Sequence, residues 1–395
     1  MKCYVLDHAN LWIGDGTAYQ GHLVIVDRLI EKVGRGRYEG PLPVTNLSGA
    51  SISPGLIDLM VLGGFDISIC RDDPMDIARE YVRLGVTSFQ ASFGCRQWDG
   101  MDGVVNNIRS AKAYSGCDAS QFIGLYPEGP FQQSNLTGGS LGVNSLPATS
   151  KNVERVLDEF GDVITMINIA PGIEGDTEAI RSFCQSGKVV SMAHSNAPIE
   201  RVIPCIEAGT SVLGHIWDNM PFFGSNLIQE PSIEQAALTD ERVKWIHMIS
   251  DGVHVHPVMM QIVLRCRGIE SLCLVTDCGI KSGRPDGPYL SDDNRNFYSE
   301  DGVCRTNEGH LAGSATLLPD AFRNFVKFTK IDPQIAIQSV TSNPAKSLGL
   351  ETQIGLLSAG SVADLVVWDN NLRVSRVWRN GEELDNVSEY ATVTM

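Results

Sequence analysis

The strongest constraint in this sequence is an alternation. From SISPGLIDLMV at residues 51–61 onward, apolar runs of strand length take turns with segments of helical periodicity. DDPMDIAREYVRLG reads as a helix and VTSFQASFG as a strand; DGVVNNIRSAKAY is again helical and QFIGLYPEGP again extended. The order continues through SKNVERVLDEFG, VITMINIAPG, TEAIRSFCQSG, VVSMAHSN, IERVIPCIEAG and TSVLGHIWD, then VKWIHMISDG, VMMQIVLRCRG, SLCLVTDCG and LLPDAFRNFVKFT. Strict strand–helix alternation argues for a parallel sheet with helical crossovers. The repeats outnumber those of a usual open sheet, so the expectation is an α/β fold, a (β/α)8 barrel, over residues 54–345. The polar stretch KSGRPDGPYLSDDNRNFYSEDG reads as a long loop or hairpin after the last barrel strand.

The two ends differ from the middle. KCYVLDHANLWI and GHLVIVDRLIEKVG at the start, and GLLSAGSVADLVVWD and LRVSRVWRNGEEL at the finish, are short apolar runs broken by Gly and Asp. They read as antiparallel strands, with Asn380-Gly381 as a hairpin turn. Residues 1–53 and 346–395 are therefore expected to build one small β-sandwich domain from both termini.

Charge excludes two classes of partner. A formal net charge of −16 repels nucleic acid and anionic membrane surfaces. No apolar run approaches the ~20 residues of a membrane span, and the first residues lack a signal-peptide core. A cytoplasmic protein with a small-molecule partner is the expectation. The ten cysteines are scattered without a CxxC pair and read as reduced core thiols.

Reactive side chains fall at matching places in the pattern. In a parallel barrel the C-terminal strand ends meet at one mouth. LYPEGP puts Glu128 at such an end, VVSMAHS puts His194, TSVLGHI puts His215, and CLVTDCG puts Asp277. One carboxylate and two histidines make a metal set with a position open for water. The chain has only eight histidines, and two sit at the same point of successive strands. Asp277 then reads as the general base and later the general acid. His254, in ISDGVHVHP, is a candidate for hydrogen bonding to substrate. Each residue alone also has an ordinary reading: a satisfied core histidine, a helix-entry carboxylate for Glu128, an N-cap for Asp277. His247 reads as structural, His8, His22 and His310 as structural or surface, and Cys278 as a packing residue.

The ordered segments SPGLIDL, YPEGPF, MAHSNA, GHIWDNM, ISDGVHV, LVTDC, LAGSATLL, TSNPAKSLGL and GLLSAGSVADLVVWD resemble the pattern of N-acetylglucosamine-6-phosphate deacetylases, within the amidohydrolase superfamily. The likeness runs over nearly the whole chain. It implies a metal-dependent barrel, a homodimer, and hydrolysis of an N-acyl amide on an amino sugar. It also implies that Glu128, His194 and His215 hold one divalent ion and that Asp277 handles protons. Zinc is the default ion for such ligands, and iron, cobalt or manganese also suit them. Ala312 and Gly313, in LAGS, would wall the pocket with backbone.

Several positions depart from that pattern. Met60 and Leu62 stand where many amidohydrolases carry His-x-His for a second metal, so one metal is expected. Ser140, in LTGGSLG, falls about where the family has a histidine beside the reacting carbonyl. Trp217, Asp218 and Asn219 replace a Tyr/Phe-Asn-Ala run. Ser225 and Asn226 stand where the family places a phosphate-gripping arginine, the residue best suited to that contact. Asp218, Asn219, Ser140 and Asn226 are accordingly candidate substrate contacts for an amine lacking the 6-phosphate. The other readings left open are an ordinary 6-phosphate deacetylase with Arg284 or Arg295 as the phosphate contact, a deaminase or cyclic amidase, and a catalytically idle binding protein.

Overall fold

The structure, a computed structural model, describes residues 2–94, 102–133, 145–218, 230–291, 295–385 and 387. Eight parallel strands form the centre: β1 Leu56–Val61, β2 Val86–Phe93, β3 Gln121–Pro127, β4 Met166–Asn168, β5 Val189–Met192, β6 Val212–Leu213, β7 Trp245–Ile249 and β8 Leu272–Val275. β1 to β3 make a three-stranded sheet and β4 to β8 a five-stranded one. Parallel bridges Leu125↔Ile164 and Val61↔Cys278 join the two sheets at both seams and close the barrel. Every residue of β1 and β2 is buried, as expected for strands covered on both faces.

Each strand is followed by its helix: α1 Pro74–Arg83, α2 Asp102–Ala113, α3 Ser150–Phe160, α4 Asp176–Gln185, α5 Ile199–Ala208, α6 Ile233–Thr239, α7 Pro257–Arg267 and α8 Leu318–Thr329. Local chemistry sets the starts. Asp73 caps α1 by accepting the Met75 N–H, with Pro74 at the first helical position. His256 caps α7 in the same way, accepting from Val258 N. That gives this histidine a structural task. Between β8 and α8 the polar stretch forms an antiparallel meander of four strands, Gly287–Leu290, Asn296–Glu300, Val303–Thr306 and Leu311–Ser314.

Strands from both ends of the chain form the small β domain, hydrogen-bonded as one eight-stranded sheet. Leu365–Trp368 lies antiparallel to Ser51–Pro54, which in turn pairs with Cys3–Trp12. Asn380 and Gly381 have φ of 54° and 72°, the two left-handed positions of a tight hairpin turn. One face of the sheet has its own core, with Leu6, Leu11, Leu23, Ile52, Leu365 and Trp378. The other face puts Trp12, Val366 and Trp368 into the barrel core, where Trp368 meets Phe322 at a centroid distance of 5.2 Å. A buried Arg379–Asp364 ion pair at 2.9 Å reinforces that junction, and Arg379 also donates to Ala119 O and Gln121 Oε1 beside β3.

Candidate metal centre and active site

The barrel brings the expected strand ends together. Glu128 directly follows β3, and His194, His215 and Asp277 each lie two residues beyond β5, β6 and β8. His194 and Asp277 have left-handed φ of 50° and 49°, as does Trp217 at 64°. Each such non-glycine residue costs about 1–3 kcal/mol, and this kind of strain concentrates at functional sites. The tight turns re-aim side chains that a regular strand would carry past the mouth.

Glu128 Oε1 is 3.0 Å from His194 Nε2 and 3.2 Å from His215 Nε2, and the two nitrogens are 3.1 Å apart. A tetrahedral ion with bonds of about 2.0–2.1 Å sets its ligand atoms about 3.3 Å apart. Three lone-pair atoms converging at nearly that spacing fit a divalent cation. Among the described residues, this is the His/Cys/Asp/Glu group whose ligand atoms converge in that manner. Burial works against the Glu128 charge, but its contacts with the two histidines outweigh burial and hold the carboxyl well below its ordinary range.

Asp277 is buried. Burial first, then repulsion from Glu128 and Asp218, pushes its carboxyl well above the usual range. The adjoining LAGS strand lies close to it: Ser314 N donates to Asp277 O at 2.9 Å. Gly313 has φ of 82°, and a Cβ there would stand 2.9 Å from Asp277 O. Any side chain at this position would push the strand off Asp277, so Ala312-Gly313 forms a close backbone wall.

His254 is fixed by a residue the sequence reading passed over. Asp251 accepts from His254 Nδ1 at 2.5 Å and from the backbone N–H groups of Val253 and His254. Burial opposes charge on His254, but Asp251, with Asp218 and Asp277 behind it, raises the imidazole to about 9. The imidazolium is therefore the form present near neutrality. Its Nε2 is buried without a protein partner and is available to a ligand. The Asp-x-x-His spacing at a strand end was the available signal. Asp58 was also missed. It accepts from Thr276 Oγ1 at 2.6 Å and Met60 N at 3.2 Å, bracing β1 against the residue before Asp277, and burial raises its carboxyl to about 7.

Asp218 is buried beside His215, with Asp218 Oδ2 3.9 Å from His215 Nδ1. Ser140, Asn219 and Asn226 lie outside the described residues. Arg284 is engaged with Asp66 at 2.9 Å and with Phe65 O, and Arg295 lies over the Phe297 ring. Met60 is packed in the barrel core with Tyr126 and Ile249. Cys278 Sγ contacts the Tyr81 hydroxyl at 2.6 Å and Gly63 O at 3.1 Å, a packing role.

His247, inside β7, is fully buried, stands edge-on to Tyr126, and has no hydrogen-bond partner on either ring nitrogen. Burial, then the neighbouring His215, depresses its pKa to about 3. The folded value lies below the unfolded one, so the unfolded chain binds the extra proton. Stability from this residue is present above about pH 6.5 and is lost as pH falls toward about 3, by up to about 1.4 kcal/mol per unit. A His247→Met protein should be at least as stable as the parent at pH 7.5, because Met leaves no buried ring nitrogen unpaired. It should lose less between pH 6.5 and 5 in urea unfolding series, whereas equal acid sensitivity would refute the assignment.

The model of the Amidohydrolase family matches residues 233–384. The chain is 29% identical to the N-acetylgalactosamine-6-phosphate deacetylase of Escherichia coli, over 87% of this chain and 90% of that protein. It is 28% identical to the N-acetylglucosamine-6-phosphate deacetylase of Vibrio furnissii, over 85% and 83% of the two chains. Among solved structures, a mutant N-acetyl-D-glucosamine-6-phosphate deacetylase from Mycobacterium smegmatis, in complex with N-acetyl-D-glucosamine-6-phosphate, superposes with a TM-score of 0.87 at 28% identity, covering 97% of this chain and 99% of that one. The corresponding enzyme from Pasteurella multocida, at 24% identity and a TM-score of 0.87, shares the fold. With a closed barrel, a convergent Glu-His-His centre at its strand ends, an Amidohydrolase match over residues 233–384 and these relatives along its length, the chain is similar in sequence and fold to the deacetylases of the amidohydrolase family.

Proposed function

We propose that the protein hydrolyses the N-acetyl amide of an amino sugar, releasing acetate and the free amine, and that its preferred sugar carries no 6-phosphate. The observation that carries the reaction is the convergence of Glu128, His194 and His215 beside Asp277. Those three residues would hold one divalent ion, with zinc the default. When bound, the ion supplies Lewis acidity that polarises an amide carbonyl and acidifies water, and its charge opposes the upward shift of Asp277. Asp277 accepts a proton from the attacking water and returns it to the departing nitrogen as the C–N bond breaks. His254, held by Asp251, donates from Nε2 to a substrate oxygen, and Ala312-Gly313 packs against the substrate. The same reading takes the protein to be a cytoplasmic homodimer.

Charge in this region disfavours a phosphorylated sugar. Asp218 puts a buried carboxylate next to His215, and the sequence has Ser225 and Asn226 in place of an arginine. Arg284 already serves Asp66. A phosphate dianion entering this region would meet another anion rather than a guanidinium fork.

Amine release by metal-replete protein tests the proposal, comparing N-acetylglucosamine 6-phosphate with unphosphorylated N-acetylglucosamine and N-acetylgalactosamine. An unphosphorylated sugar should show kcat/KM about 10-fold or more above the phosphorylated one, equivalent to about 1.4 kcal/mol. Turnover confined to the phosphate ester would reject the specificity, and no amine release from any of them would reject the reaction.

A further inference from the structure

His215 approaches Glu128 and His194 through Nε2. Its other nitrogen, Nδ1, is buried without a hydrogen-bond partner. If Nε2 keeps its lone pair for an ion, Nδ1 carries the ring's proton, and a buried donor left unpaired is destabilising. Asp218 Oδ2 stands 3.9 Å away, with both side chains almost fully buried. The backbone between them is built for the approach. Asp218 N donates to His215 O at 3.0 Å, and Trp217 takes a left-handed φ of 64°, which folds the chain back toward the ring. The gap is about 1 Å longer than a hydrogen bond, within reach of a side-chain rotation.

From this geometry we infer that Asp218 is a positioning residue: its carboxylate receives the Nδ1–H of His215 and keeps Nε2 facing Glu128 and His194. The inference rests on the metal-centre reading above and refines it. A carboxylate behind a ligating histidine fixes the tautomer and ring orientation and raises ligand basicity, and loss of such a partner typically costs 10–100-fold in metal affinity or activity. The carboxylate stays where it also disfavours an anionic substrate group, so one residue links ligand orientation to substrate charge.

The test uses full-length wild-type protein, Asp218→Asn and Asp218→Ala. Zinc affinity is read by chelator competition, the visible spectrum is recorded with cobalt(II) in place of zinc, and kcat and KM are measured at saturating zinc. Asp218→Ala should bind zinc about 10–100-fold more weakly and shift the cobalt bands, with KM changed less than about threefold. Asp218→Asn, which keeps an acceptor oxygen and lacks the charge, should fall between the two. It is isosteric and carries the test if the alanine variant fails to fold. Unchanged zinc affinity and cobalt spectrum, with a raised KM, would overturn the inference and make Asp218 a substrate contact. Less than one zinc per wild-type chain would instead overturn the metal-centre reading, and the inference with it.

Discussion

Asp277→Asn should lower kcat by about 10²–10⁴-fold, the range of a general acid–base group, while zinc content stays at the wild-type level. The amide has nearly the same shape but neither takes a proton from water nor delivers one to the leaving nitrogen. Stability separates this outcome from simple misfolding. In the metal-free protein burial, Glu128 and Asp218 all oppose an Asp277 carboxylate. A carboxyl raised in the folded state weakens folding at pH above its unfolded value, and Asn removes that cost. The metal-free variant should therefore unfold at a urea concentration equal to or above the parent's near pH 7. An active Asp277→Asn protein would remove Asp277 from the chemistry.

The second large effect is loss of the metal. Glu128→Gln or His194→Ala takes away one of three converging ligands, and both should purify with far less than one zinc per chain and show less than about a thousandth of the parent's turnover. The linkage test is thermal. With free zinc at 100 times Kd, the wild-type protein gains about 2.7 kcal/mol. A chelator should remove that gain and lower Tm, whereas the variants should show no zinc-dependent Tm at all. If their Tm responds to zinc as the parent's does, the ion is held elsewhere.

Part of the candidate site was legible because its residues are tied to a repeating pattern. Glu128, His194, His215 and Asp277 all follow apolar runs, and a parallel barrel carries every strand's C-terminal end to one mouth. Asp251 was not legible in that way. It follows β7 as the others follow their strands, yet its part is to hold His254 by a contact three residues away. Asp58 was hidden for a different reason, since its partner Thr276 is 218 residues distant and the pairing exists only once β1 meets β8. His256 caps α7, a role set by the helix that follows it and not by its own strand end.

The amino-acid sequence by itself determined the alternation of strands and helices, the β character of both ends, and the identity of the residues at the barrel mouth. These follow from local periodicity, turn chemistry and the order of elements. Tertiary structure alone decided how the seams close, how the terminal sheet places Trp12 and Trp368 on the barrel, and how three ligand atoms come within 3.2 Å of one another. It also decided the left-handed turns at His194, Trp217 and Asp277. Such distances and strained turns are held by packing between segments far apart in the chain, and no local pattern encodes them.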